Sequence, residues 1–316
     1  MDEKRMAASR GRRSTKAPRL EALEDRQLMT AAPTHVGIKE VARQGYTELD
    51  IIGTNRGDAI AIADNGSASP GNVTVTLGDG TLYTTKAGVS VVKLQGGSGS
   101  DNVSFQLTGP LVAAQSVILN LGNGNNTFTA NIAGAIDAAG GLDLEAFGGT
   151  GNDRMAVNQT GSTLRGGFVP YLSGGGGKNI LAYTGTGSIG VGSSVSPEFA
   201  GGSGSDVITS NYAGRVDGNY MYNLSVDAGS GTETITNNVY LAAGSKGTVG
   251  YGPTQPAAIR AGKGTDTIRF TVHSDPSSTA QVIAAVIGAS GKGTISTTSN
   301  VGVQGDTARM KQVALV

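Results

Sequence analysis

Short runs in which apolar and polar residues alternate follow glycine-rich turns along the chain from about residue 46. Two positions after the last residue of each turn stands an apolar residue, and the positions beside it are mixed, small or polar. An apolar residue between outward neighbours has the two-residue period of a β-strand with one buried face. The pattern therefore predicts a strand after every turn.

The turns themselves recur as the unit G-G-x-G-x-D, in Gly96–Asp101, Gly148–Asp153 and Gly201–Asp206. Degenerate copies end at Asn126, Asn179, Glu233 and Asp266, and a looser copy ends at Asp58. The steps between successive terminal residues are 43, 25, 27, 26, 27, 27 and 33. Five consecutive steps near 27 indicate an internal repeat.

Two columns of the alignment test this repeat without using its glycines. The column two positions after the terminal residue holds Ile60, Val103, Phe128, Met155, Leu181, Ile208, Ile235 and Ile268. The column seven positions before it holds Ile51, Leu94, Leu119, Ala146, Leu172, Phe199, Val226 and Ile259. With 38% hydrophobic residues in the chain, one fully apolar column has a chance of about 0.0004. The periodicity is therefore real.

A unit of strand, glycine turn, strand and return stretch is too short for a propeller blade, but it suits one coil of a solenoid. Stacked coils would join the two columns into one continuous core. We expect an all-β parallel β-solenoid, a right-handed β-helix of about 27 residues per coil and about eight coils. This repeat domain spans residues 34–316.

Composition narrows the possible chemistry. The chain has 316 residues, of which 51 are glycine, with no cysteine, no tryptophan and a formal net charge of zero. The missing cysteines exclude disulfides and thiolate metal sites, and two histidines exclude most histidine cages. Without a basic patch interleaved with aromatic residues, we expect no nucleic-acid binding. The sequence holds no apolar run long enough to predict a membrane-spanning segment.

The N-terminal segment, residues 1–33, differs from the rest and is predicted to be a disordered, basic export segment. Residues 1–26 hold eight basic and five acidic side chains, a net charge of +3. The stretch from Pro18 to Ala32 resembles the LEPLEDR-x-LL-(S/T)-A leader of large exported bacterial surface proteins, with Ala22 replacing the usual proline and Met29 the second leucine. This resemblance implies an extracellular or cell-surface location.

The turn unit resembles the G-G-x-G-x-D-x-U-x nonapeptide of RTX calcium-binding repeats. In that family the aspartates and the glycine carbonyls of the turns coordinate Ca²⁺, which takes 6–8 oxygen ligands. By position, the resemblance implies carboxylate ligands at Asp101, Asp153, Asp206, Glu233 and Asp266. It implies carbonyl ligands at Gly97, Gly99, Gly149, Gly151, Gly202 and Gly204.

The chain departs from that family in its spacing, because one unit occurs per coil of the predicted solenoid and the units do not follow one another in tandem. In such a coil each turn stacks on its own counterpart, and the arrangement of facing turns is lost. A second interpretation is purely structural: Asp and Asn close turns by accepting from backbone N–H groups two residues further on. Both interpretations stay open at this point.

Taken together, these features predict a secreted or cell-surface structural or adhesive protein, not an enzyme, whose partners are calcium and other surface proteins or polysaccharide. The alternative is a β-helix polysaccharide lyase or hydrolase, for which Asp143 and Glu145 on one strand face are candidates. An enzyme should gather three or more acids or arginines in one groove of adjacent coils, whereas a structural rod should spread them. We expect the spread pattern.

Overall fold

The computed structural model describes residues 33–316, except 138, 140, 219–221, 247, 251–256, 261, 265, 288–291, 298–302, 305–311 and 316. The export segment predicted for residues 1–33 lies outside the described residues but for its last one, and the domain boundary there stays a prediction. The described residues form strands and no helix.

The strands are short, as alternating runs between glycine turns require. In chain order the first fifteen are β1 (Gly37–Arg43), β2 (Tyr46–Ile52), β3 (Ala59–Asp64), β4 (Val73–Leu77), β5 (Leu82–Thr84), β6 (Val91–Gln95), β7 (Asn102–Leu107), β8 (Gln115–Asn120), β9 (Thr127–Ile132), β10 (Ile136–Asp137), β11 (Leu142–Phe147), β12 (Arg154–Gln159), β13 (Thr163–Arg165), β14 (Gly167–Gly176) and β15 (Ile180–Gly185). The others are β16 (Ser194–Val195), β17 (Glu198–Gly204), β18 (Val207–Gly214), β19 (Ser225–Asp227), β20 (Ser230–Gly231), β21 (Thr234–Leu241), β22 (Thr248–Val249), β23 (Ala257–Arg260), β24 (Lys263–Gly264), β25 (Thr267–Ser274), β26 (Gln281–Ile287), β27 (Lys292–Thr297), β28 (Val303–Gln304) and β29 (Gln312–Leu315).

Each coil gives one strand to each of two long sheets. Sheet A runs in the order β1, β2, β6, β8, β11, β14, β17, β19, β23, β26, and sheet B runs from β5 through β4, β3, β7, β9, β12, β15, β18, β21, β25 and β27 to β29. Beyond the N-terminal strands, neighbours within both sheets pair in parallel. The fold is a parallel β-solenoid, as the repeat predicted.

The register confirms the two apolar columns position by position. In sheet A, Leu94 pairs with Ile51 and Leu119, and the column continues unbroken to Ile259. In sheet B, Ile60 pairs with Val103, and that column continues to Ile268. All sixteen side chains are at most 3% exposed. The regularly spaced coils thus build one continuous core.

The long step between Asp58 and Asp101 contains additional strands. The antiparallel strands β4 and β5 lie in it and extend sheet B beyond β3. On sheet A, β1 pairs antiparallel with β2 and covers the same end. Glu40 joins the two additions, since its carboxylate accepts from the Tyr83 hydroxyl at 2.7 Å and from the N–H groups of Lys86 and Ala87 at 2.7 and 3.0 Å. Antiparallel strands therefore cover both strand edges at this end of the solenoid.

Candidate functional site

The predicted calcium ligands lie at the turn between sheet A and sheet B, stacked one per coil. The carboxylates of Asp101, Asp153, Asp206, Glu233 and Asp266 are almost fully buried, at 0–2% exposure, and so are the Asn126 and Asn179 side chains between them. Their burial is a consequence of close coil packing, which the turn sequence alone does not reveal. We call this column, from Asp101 to Asp266, the turn ladder.

A hydrogen bond joins most neighbouring coils of the ladder. The N–H of Asn126 donates to Asp153 Oδ1 at 2.8 Å, and the N–H of Asp153 donates to Asn179 Oδ1 at 2.9 Å. Equivalent bonds run from the N–H groups of Asp58, Asp101, Asn179 and Glu233 to the side chains of Asp101, Asn126, Asp206 and Asp266 at 2.7–3.1 Å. The predicted bond to an N–H two residues further on is therefore wrong for the ladder. The partner N–H lies one coil earlier, because stacking brings it closer than the residue's own turn does.

The second side-chain atom separates the Asn copies from the Asp copies, because in both Asn copies it donates a hydrogen bond. Asn179 Nδ2 donates to Asp206 Oδ1 at 3.0 Å. Asn126 Nδ2 donates to the carbonyl oxygens of Gly122, Gly124 and Gly148, each at 3.3 Å. In the Asp copies a carboxylate oxygen replaces that donor, and Oδ2 of Asp101, Asp153, Asp206 and Asp266 has no hydrogen-bond partner. Glu233 has no partner for either carboxylate oxygen.

The position of these oxygens explains why a donor is needed there. A Cβ added to Gly148 would collide with Asp153 Oδ2 and, at 2.7 Å, with the carbonyl oxygen of Gly174 in the next coil. Asp153 Oδ2 therefore shares its surroundings with a carbonyl oxygen, as Asn126 Nδ2 does. An unpaired buried oxygen beside other oxygens is unfavourable unless a proton or a cation lies among them.

The predicted glycine ligands sit in the same turns, and their carbonyl oxygens also contact the following coil. The carbonyl oxygen of Gly97 accepts from the N–H of Asn123 at 3.0 Å, and that of Gly149 accepts from the N–H of Gly176 at 2.8 Å. The carbonyls of Gly99, Gly151, Gly202 and Gly204 abut the turn glycines of the following coil, where no Cβ would fit. Each turn thus stacks on its counterpart, and the facing turns of the RTX arrangement are absent from the described residues.

Burial dominates the electrostatics of the ladder. Burial, with the nearby charge of Asp58, raises the pKa of Asp101 to about 6. Burial also raises the pKa values of Asp153 and Asp206, against the hydrogen bonds from Asn126 and Asn179 that lower them. For Glu233, burial and the neighbouring Asp266 raise the pKa to about 8. The raised pKa values mean that Asp101, Asp153, Asp206 and Glu233 hold protons more tightly than free carboxylates do.

A second group of acids lies on the outer face of sheet A, where two acids share one coil and a third lies two coils further on. Glu145 pairs with Tyr171, which pairs with Glu198 in the next strand, and Asp143 lies two residues before Glu145. Burial and the charges of Asp143 and Glu198 raise the pKa of Glu145. Phe147 and Tyr171 pack with ring centroids 5.6 Å apart. We call Asp143, Glu145, Tyr171 and Glu198 the acidic face.

Sequence reasoning found Asp143 and Glu145 but missed Glu198 and Tyr171. The repeat spacing could have identified both residues, because Tyr171 and Glu198 follow Glu145 by one and two steps of the repeat. Extending the repeat alignment to polar positions would have grouped them. Apolar columns alone could not, since the outer face is not part of the core.

Comparison with protein-family models, curated proteins and solved structures gives no match to this chain. Within the part of the chain that the structure describes, no three His, Cys, Asp or Glu side chains surround one point as a metal cluster would. No helix long and apolar enough to cross a membrane occurs among the described residues. The fold and turns define the class as a parallel β-solenoid with a buried turn ladder of acids and amides.

Proposed function

We propose that the chain is a structural or adhesive repeat protein of the cell exterior, without enzymatic activity, whose Gly-Asp turns bind Ca²⁺. In this proposal the solenoid is a right-handed β-helix of eight coils behind an export leader. The observation that supports calcium is the contrast between Asn126, whose Nδ2 has three carbonyl partners, and the aspartates, whose Oδ2 has none.

The donor set suits a hard cation. Calcium prefers carboxylate and carbonyl oxygens, and three carbonyl oxygens surround the position that Asn126 Nδ2 fills and that a carboxylate oxygen takes in the Asp copies. An ion at Asp101 would draw on Gly97 and Gly99. The corresponding carbonyls belong to Gly149 and Gly151 for Asp153, and to Gly202 and Gly204 for Asp206, while Glu233 and Asp266 complete the series.

The exterior location rests on two features of the sequence. The stretch from Pro18 to Ala32 resembles a leader of exported surface proteins, and a cysteine-free rod relies on stacking and bound ions rather than on disulfides. Outside the cell, millimolar calcium would stabilise the folded state by mass action. The partners of the chain would be other surface proteins or polysaccharide.

Limited proteolysis of the full chain, in EGTA and in millimolar Ca²⁺, tests this proposal. Calcium bound to the turns should slow cleavage between Leu94 and Ser274, because cleavage requires the coils to open. Magnesium at the same concentration serves as the control, since it accepts irregular carbonyl cages poorly. Identical cleavage rates in EGTA and Ca²⁺ would show that the turns do not bind calcium and would contradict that part of the proposed function.

A polysaccharide lyase or hydrolase is the second candidate, and the acidic face supports it. Neighbouring carboxylates with raised pKa values can divide the roles of acid and base, and aromatic rings can pack against sugars. If this candidate is right, the chain should depolymerise a neutral or acidic polysaccharide, and Glu145→Gln should lower that rate at least about 100-fold. Asp79→Asn, at an exposed position between β4 and β5, is the matched control. No cleavage across a panel of such polysaccharides would exclude this candidate.

A further inference from the structure

The turn ladder changes character at its C-terminal end. From Asp101 to Asp206 acids and amides alternate, in the order Asp101, Asn126, Asp153, Asn179, Asp206. The next two positions are Glu233 and Asp266, so three successive coils carry acids with no amide between them. We call Asp206, Glu233 and Asp266 the acid run.

The acid run has the largest deficit of hydrogen bonds in the ladder. Asp206, Glu233 and Asp266 are at most 1% exposed. Four of their carboxylate oxygens have no partner: Asp206 Oδ2, both oxygens of Glu233 and Asp266 Oδ2. Asp153, by contrast, has one such oxygen and an Asn on each side.

Contacts place Glu233 and Asp266 together. The N–H of Glu233 donates to Asp266 Oδ1 at 3.1 Å, so the two residues are adjacent rungs. A Cβ on Gly231 would lie 2.7 Å from Glu233 Oε1, which places this oxygen against the residue's own turn. The additional methylene of Glu233 lets its carboxylate lie differently from the aspartates in this column.

Charge decides which ladder position binds a cation most tightly. An isolated ladder carboxylate such as that of Asp153 gives a divalent ion one negative charge, whereas Glu233 and Asp266 give two charges on successive coils and Asp206 gives a third. Asp58, beside Asp101, already accepts from the Thr54 N–H and hydroxyl at 2.6 and 3.0 Å. Calcium affinity rises with the number of charged ligands. Like charges buried at coil spacing also repel, and this repulsion is relieved only when a cation binds or a proton is taken up.

We propose that the tightest cation site of the chain lies between Glu233 and Asp266, that it takes one hard divalent cation such as Ca²⁺, and that Asp206 adds charge to it. This inference rests on the proposed function, because it assigns the first bound ion to one part of the turn ladder. The carbonyls of the adjoining turns supply the other oxygens. Asp101 and Asp153, each followed by an amide, then bind later ions or none.

Isothermal titration calorimetry of the full chain with CaCl₂, after removal of metal with EGTA, tests whether the tightest cation site lies between Glu233 and Asp266. Glu233→Asn places the ladder's own amide at this position and should weaken the first binding constant at least about tenfold. Asp227→Asn removes a carboxylate from the same coil but outside the ladder, and it should leave that constant within about twofold. Glu233→Gln, with an unchanged side-chain length, replaces Glu233→Asn if the latter fails to fold.

The outcomes separate this inference from the proposed function. If the unchanged chain binds calcium and Glu233→Asn retains the first constant, the acid-run site is overturned but calcium binding by the turns stands. If Asp153→Asn weakens the first ion tenfold instead, the order of affinities is overturned. If the unchanged chain binds no calcium, bound protons satisfy the carboxylate oxygens that have no hydrogen-bond partner. This inference and the calcium part of the proposed function are then both wrong.

Discussion

At the scale of single residues, aspartate and asparagine are interchangeable as acceptors in the turn ladder but not as donors. Asp153 Oδ1 and Asn179 Oδ1 accept the same kind of N–H from the preceding coil, at 2.8 and 2.9 Å. The second atom differs, because Asn126 Nδ2 donates to carbonyls where Asp153 Oδ2 has no partner. Each aspartate therefore weakens the metal-free fold while placing a negative charge inside it.

This difference predicts that Asp153→Asn stabilises the metal-free chain. The amide would donate to the carbonyls beside Asp153 Oδ2 and relieve an unsatisfied buried oxygen, worth about 1–3 kcal/mol. Asp153→Ala also removes the acceptor for the Asn126 N–H and should destabilise the chain by a similar amount. Urea unfolding in EGTA measures both. A less stable Asp153→Asn protein would show that Oδ2 already has a partner.

The raised pKa values predict how the stability of the metal-free chain depends on pH. Free Asp and Glu ionise near pH 3.9 and 4.3, about two units or more below Asp101 and Glu233 in the fold, whose pKa values are about 6 and about 8. The folded state thus binds more protons than the unfolded state between these values. Stability should be greatest near pH 4 and should fall as pH rises through 6 toward 8.

Thermal unfolding in EGTA at a series of pH values checks this trend. Glu233→Asn should flatten the upper part of the curve, between about pH 6 and 8, because it removes the group that titrates there. A melting temperature that rises across this window would contradict the assignment of raised pKa values to the ladder.

At the scale of the elements, glycine turns permit the close stacking of strands. Gly151 has a φ of +134°, and a Cβ there would collide with the carbonyl oxygen of Gly124 in the preceding coil. Both the backbone conformation and the close approach require glycine. Gly192 has a φ of +80°, but nothing lies within 4 Å of its Cβ position.

We therefore expect Gly151→Ala and Gly192→Ala to differ sharply. Gly192→Ala should lower the free energy of unfolding by about 1–2 kcal/mol, through backbone strain alone. Gly151→Ala adds a steric clash with the main chain and should cost about 3 kcal/mol or more. Urea unfolding compares them, and equal losses would mean that the coils can separate at the turn without cost.

The N-terminal strands give a second prediction at this scale. Glu40 on β1 accepts three hydrogen bonds from Tyr83, Lys86 and Ala87 at and beside β5, and so joins sheet A to the added strands of sheet B. Glu40→Ala should speed amide hydrogen exchange in β1 and β5 about tenfold, while β12 and β15 keep their protection. Glu198→Gln, on the outer face of the same sheet, is the control. Uniformly faster exchange would mean that these strands stabilise the entire solenoid.

Sequence periodicity predicted most of the fold but only part of the site. The two apolar columns, from Ile51 to Ile259 and from Ile60 to Ile268, follow directly from the repeat, because a buried ladder needs one apolar residue per coil. The burial of Asp153 and the partner of its Oδ1 could not be predicted, since both depend on how closely successive turns approach. The step of 43 residues that ends at Asp101 indicates an insertion or an additional coil near Leu77–Gly80, and the turn between β4 and β5 lies there.

At the scale of the whole molecule, the solenoid couples every rung to its neighbours. Bound ions would relieve the unpaired oxygens of the turn ladder, those of Glu233 and Asp266 first, and nearest-neighbour stacking would pass that gain to adjacent coils. Calcium should therefore act on the stability of the stack rather than on one loop. The acidic face lies on the other side of sheet A from the core and should contribute little to this effect.

Thermal unfolding of the full chain, followed by far-UV circular dichroism in excess EGTA and then in millimolar Ca²⁺, tests the central claim most directly. We expect the midpoint to rise markedly with Ca²⁺, and the combined variant Asp206→Asn and Glu233→Asn to lose most of the rise. An unchanged midpoint, with the β signal already complete in EGTA, would contradict calcium binding by the turn ladder.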